Sequence, residues 1–322
     1  MIRSLGIRDL GLITRYRHRG LFLDSVPTLT WGREIVPMGA LLSTFSSLTG
    51  IFTSLGPSQD GQLPLLGQVA HSSGSPHAHF TFLAPTESLD SSAMPELLEH
   101  LIAQVGSRGA HSLTADVEEE GPAFVALREA GFGIYARQHI WRLNKIGAVS
   151  TAESRWRFAE YADEMAINLL CTSLVPGLVQ QVESPAWNGL RGYVLYRQGE
   201  LLAYVDVRSG PRGKWLQPFV HMDAKDIEDD LTMLVSLLRP SGRLPIYLSL
   251  RSYQNWLDVL MKQLGAQAGP RQAVMVRRTA RRVKVKKNDR LINREGQRAE
   301  STMQIKIPTQ FIPVEKELIA ND

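Results

Sequence analysis

The chain has 322 residues, of which 43% are hydrophobic and 21% charged, and its formal net charge is +4 at pH 7. This length exceeds that of most single domains, and the composition is that of a soluble globular protein. The small net charge does not require a nucleic-acid partner, and the single cysteine, Cys171, excludes an intrachain disulfide. We therefore expect a soluble, cytoplasmic protein of two domains.

The first half predicts alternating strands and helices. One segment, residues 35–59, carries no charge, but its prolines, glycines and hydroxyl side chains suit a buried helix followed by a strand better than a membrane span. Helices are expected after Asp9, over residues 97–105 and over residues 123–130, and strands over residues 50–55, 65–70, 79–83, 112–117 and 133–143. Gly131 suits the end of the third of these helices.

The second half repeats this order of elements. Helices are expected over residues 156–170, 231–238 and 255–264, and strands over residues 192–196, 201–207, 214–220, 246–250 and 273–278. The strand before the longer helix and the strand after it are about 32 residues apart in the first half and about 31 in the second. This regularity predicts two duplicated domains, residues 1–147 and 148–283.

The remaining residues, 284–322, form a basic and polar tail that we expect to be largely disordered. Residues 277–287 hold seven lysines or arginines in eleven positions. Such a run could contact nucleic-acid phosphates, but the alternating valines equally describe a charged edge strand. Because no aromatic residues interleave the charges, we do not expect a nucleic-acid partner.

The segment over residues 109–143 resembles the C-terminal half of a GNAT (Gcn5-related N-acetyltransferase) domain, with Gly131 and Phe132 at the Gly-Phe that ends the family's last helix. The strand over residues 80–85 and the long helix after it resemble the family's central strand and pyrophosphate-binding helix. With the repeat, the resemblance covers roughly residues 1–283. It implies an α/β fold of two tandem GNAT-like domains, each a mixed, mostly antiparallel sheet flanked by helices.

The resemblance also implies acetyl-CoA as cofactor, held where backbone N–H groups at a helix start attract its pyrophosphate. In the first half this cleft would comprise Leu83, Ala84, Ser88, Ser91, Ser92 and Ala93. Only Ala93 matches the family's glycine-rich loop, and Asp90 adds an unfavourable charge. The alternative is an ordinary helix start. In the second half, the acidic residues 222–231 would repel pyrophosphate, so we expect no cofactor there.

The family's thiolate-protonating tyrosine corresponds to Leu127 and Met261, which cannot donate a proton. Candidate catalytic groups are therefore Glu118, Glu120 and Tyr135. The alternative for the glutamates, with Glu119 between them, is a solvated acidic turn.

Three histidines, at positions 71, 77 and 79, cluster at a predicted hairpin, but without further ligands we expect turn and strand positions and no metal. The resemblance favours an acyl-CoA-dependent N-acyltransferase acting on a small-molecule or peptide amine. The alternative, favoured by the altered loops, is a non-catalytic module of the same fold that binds a ligand or a protein.

Overall fold

The computed structural model describes residues 2–16, 18–34, 39, 49–57, 63–143, 154–183, 190–224, 227–238 and 244–279. These residues belong to one compact unit. The predicted helix in the uncharged segment, the predicted domain boundary near residue 147, most of the basic run and the whole tail lie outside the described residues. Within the described ranges, no helix is both long enough and apolar enough to cross a membrane.

The first half folds into strands and helices, of which the following lie in its described residues. The strands are β1 (Arg3–Ser4), β2 (Leu21–Phe22), β3 (Ile51–Leu55), β4 (Leu66–Ala70), β5 (His77–Ala84), β6 (Ser112–Glu118) and β7 (Gly133–Leu143). The helices are α1 (Leu10–Tyr16), α2 (Ser25–Trp31), α3 (Met94–Ser107) and α4 (Pro122–Glu129).

The described residues of the second half form further strands and helices. The strands are β8 (Trp156–Phe158), β9 (Gly192–Arg197), β10 (Glu200–Gly210), β11 (Gly213–Val220), β12 (Ile246–Arg251) and β13 (Gln267–Arg278). The helices are α5 (Glu164–Leu174), α6 (Gly177–Gln180), α7 (Ile227–Leu237) and α8 (Leu257–Gln263).

Local signals account for most of these elements. The apolar positions of α3, spaced three and four residues apart, are buried against the sheet as predicted. Gly131 follows α4 with a φ of 76°, the left-handed conformation that glycine adopts without strain. The tight turn between β9 and β10 has positive φ at Gln198 and Gly199, which suits a two-residue hairpin.

One predicted helix start is wrong, and another is confirmed. Residues 156–158 form β8 rather than a helix, because the reciprocal hydrogen bonds between Glu160 and Asp163 place the helical start after them. The helix α1 begins directly after Asp9, as expected, and the Asp9 carboxylate accepts hydrogen bonds from Arg3 and from the Gly6 N–H. The short elements β1, β2, α2 and α6 were not predicted.

The strands form one mixed sheet in the order β1-β3-β4-β5-β6-β13-β7-β12-β11-β10-β9-β8, with β2 beside β5. Neighbours are antiparallel except β5–β6 and β11–β12, which are parallel. The predicted mixed, mostly antiparallel sheet flanked by helices is therefore confirmed.

The last strands of the two halves are exchanged. β7 ends the first half but pairs with β12 of the second, while β13 ends the second half and pairs with β6 of the first. β7 and β13 also pair with each other at the centre of the sheet. The division into domains at residue 147 stays a prediction, and either half cut there would lose a central strand to the other.

Candidate functional site

The first region of interest is the gap between the parallel strands β5 and β6. These strands pair only from His77 and Ser112 to His79 and Thr114, and then diverge. The backbone of residues 21–25 fills the gap. The Leu23 N–H donates to the carbonyl of Thr81 on β5 over 3.1 Å, and the Leu23 carbonyl accepts from the Asp116 N–H on β6 over 2.8 Å.

The same segment covers the predicted cofactor residues of β5. Leu83 pairs with Leu21 in the antiparallel β2–β5 register, and both Leu83 and Ala84 are fully buried. Neither side chain presents a surface to a ligand in this arrangement. An acyl-CoA arm would have to displace residues 21–25 to reach them.

Several backbone donors of the predicted pyrophosphate loop are used within the loop itself. The Ala93 N–H donates to Ser91 Oγ and the Met94 N–H to the Ser91 carbonyl, while Pro95, in the first turn of α3, has no N–H. Ser88 and Ser91 are half-buried and Ser92 is exposed. Since amide donors are what a helix start offers to pyrophosphate, the first-half cleft as it stands does not fit acetyl-CoA. The cofactor residues remain a prediction that requires this region to rearrange.

In the second half, the acidic residue Asp230 of α7 is tied into the protein. Asp230 is fully buried, and its carboxylate lies 2.8 Å from the Arg155 guanidinium and 3.5 Å from that of Arg197. Burial raises the pKa of Asp230, against the effect of both arginines. At the end of β11, the Val220 carbonyl accepts from Gln254 Nε2 over 2.9 Å.

The second region of interest is a cavity of about 670 Å³ between the two halves. Its walls come from α2, the turn over residues 72–76 and strands β5 and β6 in the first half, and from β10, β11 and the segment around α6 in the second. The exchanged strand β7 and the end of β12 complete the wall. The α2 helix reaches across to the second half, where its Thr30 carbonyl accepts from the Arg212 N–H over 2.8 Å.

Tyr135, a predicted catalytic candidate, lines this cavity because of a β-bulge. The β7–β13 register shifts between the pairs Ala136–Val274 and Ile134–Met275, which leaves Tyr135 as the extra residue. Its hydroxyl donates to Glu183 Oε1 over 2.5 Å. Burial, and then the Glu183 carboxylate, raise the pKa of Tyr135 well above its ordinary value, so it is a neutral hydrogen-bond donor at physiological pH.

A polar network continues from Glu183 across the sheet. The buried Arg251 guanidinium donates to Glu183 and, over 2.9 Å, to the side-chain carbonyl of Gln138 on β7. Gln138 donates in turn to Gln272 on β13 over 2.8 Å. Ser25 completes the line, with its Oγ donating to Gln272 and its N–H donating to Asp116. Groups from both halves thus hold one another in place.

Two aspartates on the first-half wall differ from the other charged groups. Arg251 pairs with Glu183, and Arg208 pairs with Asp206 over 3.0 Å. Among the described residues, no ion pair involves Asp24 or Asp116. Burial raises the pKa of Asp24 to about 6, opposed by the nearby His79 and assisted by Asp116.

The other predicted catalytic candidates do not line this cavity. Glu118 and Glu120 lie exposed at the end of β6, and Glu119 between them pairs with Arg137. The positions corresponding to the family's tyrosine, Leu127 and Met261, are buried in the two cores.

The three clustered histidines occupy the turn and strand positions expected for them. His71 contacts the Ser75 carbonyl, His77 contacts Ser112 Oγ, and His79 contacts Thr114 Oγ1, at 2.7–3.0 Å. Within the described part of the chain, no group of three or more His, Cys, Asp or Glu side chains is placed to hold a metal ion.

Sequence reasoning missed Asp24, Glu183 and Arg251 as site residues. Asp24 precedes a short helix that the pattern did not show, and Glu183 and Arg251 are 68 residues apart in the sequence. No local motif marks any of the three.

No protein-family model matches the sequence, and no curated protein is similar to it. Solved structures are similar in fold. A GCN5-related N-acetyltransferase from Sphaerobacter thermophilus aligns with a TM-score of 0.54 at 11% identity, over 86% of this chain and 95% of that one. A tandem GNAT protein from the clavulanic acid biosynthesis pathway aligns with a TM-score of 0.48 at 12% identity, over 86% of this chain and 98% of that one. A GNAT-family acetyltransferase from Colwellia psychrerythraea aligns with a TM-score of 0.44 at 15% identity, over 87% of this chain and 100% of that one.

The likeness to the Sphaerobacter thermophilus structure spans both halves of this chain, and identity this low carries the fold alone. The mixed sheet with its two parallel pairs and flanking helices agrees with it. The chain therefore has the GCN5-related N-acetyltransferase fold.

Proposed function

We propose that this protein is a GNAT-fold module that binds a small amine in the cavity between its halves, and that it does so without acyl-CoA. The observation that carries the proposal is the contrast between the two regions of the site. The gap predicted to hold the cofactor is filled by residues 21–25, whereas the cavity beside it is open, about 670 Å³ in volume and lined by polar groups from both halves.

Charge supports a cationic ligand. The two arginines that line the cavity are each paired with a carboxylate, which leaves Asp24 and Asp116 to interact with a bound molecule. His79 is the cationic group that lowers the pKa of Asp24 against the effect of burial. A ligand ammonium could therefore gain charge-assisted hydrogen bonds that the protein does not itself supply.

Aromatic side chains support the same class of ligand. Tyr135, Trp215, Phe219 and Tyr253 line the cavity together with the two aspartates. Aromatic faces attract organic cations, and they also bury the apolar carbons of an alkylamine.

The test is a calorimetric titration with 1,4-diaminobutane and with its uncharged counterpart, 1,4-butanediol. We expect heat with the diamine and none with the diol. Asp116→Asn removes one carboxylate and should lower the affinity for the diamine by about tenfold to a hundredfold, which is what a charge-assisted hydrogen bond contributes.

The matched control is Asp223→Asn, which makes the same charge change at a side chain that is 91% exposed and outside the cavity. Equal binding of diol and diamine, or equal losses in both variants, would show that the cavity does not recognise the ligand's charge.

The second candidate function is acetyl transfer from acetyl-CoA to such an amine. It is favoured by the likeness to an N-acetyltransferase, and it requires residues 21–25 to leave the gap. Calorimetric titration with acetyl-CoA and with CoA tests it. Micromolar binding that is abolished by Ser91→Glu or Ser92→Glu would favour the enzyme, and no heat at millimolar ligand would leave the binding module.

A further inference from the structure

Residues 19–25, which we term the strap, are bound along the whole diverging part of β5. Leu21 and Phe22 pair with Leu83 and Phe82 as β2, and Leu23 then bridges β5 and β6 through its N–H and its carbonyl. The bridge meets β5 at a bulge. The β4–β5 register shifts next to Thr81, and the Thr81 carbonyl accepts the Leu23 N–H.

Both ends of the strap are anchored to the same cleft. At its start, the Arg19 carbonyl accepts from the N–H and hydroxyl of Thr86, and the Arg19 guanidinium donates to Glu87 over 2.8 Å. At its end, the Ser25 N–H donates to the Asp116 carboxylate over 3.1 Å. The strap thus contacts the rim, the strand and the opposite wall of the predicted cofactor gap.

Gly20 allows the strap to lie this close to β5. A Cβ at this position would overlap the ring of Phe82 and lie 2.9 Å from the Cβ of Ala84. Since the φ of Gly20 is not in the left-handed region, the backbone itself would accept a side chain. The requirement for glycine is therefore the close approach alone.

We propose that the strap is the resident occupant of this cleft: it takes the backbone hydrogen bonds of Thr81 and Asp116 that the amides of a pantetheine arm would need, and so excludes acyl-CoA. The proposal rests on the part of the proposed function that excludes acyl-CoA, and it does not depend on which molecule enters the cavity. A ligand that binds only the strap-free form loses affinity in proportion to the rarity of that form.

The first measurement is hydrogen exchange on the full-length wild-type protein, which needs no variant. The amides of Leu23, Thr86 and Asp116 should exchange as slowly as the amides of the central strands. The Leu23 amide donates from the strap to the Thr81 carbonyl, and the other two donate to strap carbonyls. Fast exchange at these three amides would overturn the proposal.

The second measurement uses Gly20→Val, which should push the strap away from Phe82. We expect faster exchange at the Leu23 amide and an affinity for S-acetylpantetheine at least about tenfold above that of the wild type. This probe lacks the pyrophosphate, so its affinity does not depend on the amides near Ser91 that are already hydrogen-bonded within the loop.

The matched control is Gly133→Val on β7, where a Cβ would have no atom within 4 Å. It should match the wild type in both readouts. Binding of S-acetylpantetheine to the wild type as tight as to Gly20→Val, or a Gly20→Val variant whose faster strap exchange brings no gain in affinity, would refute the proposal. Should Gly20→Val fail to fold, Gly20→Ala introduces the same overlap with one methyl group.

Discussion

Asp24 should make the stability of this protein depend on pH in a direction opposite to that of an ordinary paired carboxylate. Its side chain lines the central cavity, where burial raises its pKa from 3.8 to about 6. A shift of about two pK units corresponds to about 3 kcal/mol of preference for the protonated form in the folded state. His79 and the hydrogen bond from the Val26 N–H lower the pKa of Asp24, and burial outweighs both.

The sign follows from linkage. Below about pH 4, Asp24 is protonated in both the folded and the unfolded protein, so it imposes no cost. Between about pH 4 and about pH 6 the unfolded chain releases the proton first, and the free energy of unfolding falls. The loss should approach about 3 kcal/mol above about pH 6.

The variant Asp24→Asn removes this pH-dependent loss of stability, because an amide keeps an acceptor oxygen for Val26 and does not ionise. We expect its free energy of unfolding, measured by urea denaturation from about pH 4 to about pH 7, to exceed that of the wild type by an amount that grows with pH to about 3 kcal/mol. The control is Asp90→Asn, at an exposed aspartate. A difference between Asp24→Asn and wild type that stays constant with pH would refute the reasoning.

Three further predictions concern other contacts of the protein. The Arg157 guanidinium holds the pKa of the buried Asp163 at about 2. In urea denaturation at neutral pH, Asp163→Asn should therefore lower the free energy of unfolding by about 2 kcal/mol. The difference from the wild type should disappear as the pH falls toward about 2. Arg251→Met leaves Glu183 without its guanidinium partner and should lower the free energy of unfolding by about 3 kcal/mol. Adding Glu183→Gln should recover part of this loss. A double variant whose loss equals the sum of the two single losses would contradict the coupling. A chain cut after residue 147 should give insoluble halves that become soluble only when co-expressed, and a folded, monomeric first half alone would disprove the importance of the strand exchange.

The amino-acid pattern alone predicts those parts of the fold that depend on near neighbours. The apolar spacing within α3 and the glycine after α4 each act over a few residues, and both predictions are confirmed. The repeated order of elements follows from such local signals in each half, and it is also observed. The start of α5 was the exception. Trp156 continues an apolar pattern but lies in a strand, and the decisive signal was the pair Glu160 and Asp163.

The candidate site depends on contacts that no local pattern encodes. Tyr135 faces the cavity only because a bulge shifts the β7–β13 register, and Arg251 meets Gln138 only because β12 pairs with the other half's last strand. Residues 21–25 carry no motif for filling a gap, and they do so because β5 and β6 diverge beside them.

The sequence by itself thus determined the fold class, the repeated order of elements and the identity of most elements, since periodicity and turn chemistry are properties of short segments. Only the tertiary structure decided which strands pair across the two halves, that the chain fills its own predicted cofactor gap, and that Asp24, Asp116, Glu183 and Arg251 share one cavity. The physical reason is that these are backbone and side-chain pairings between residues far apart in sequence, whose partners are chosen by the packing of the whole sheet.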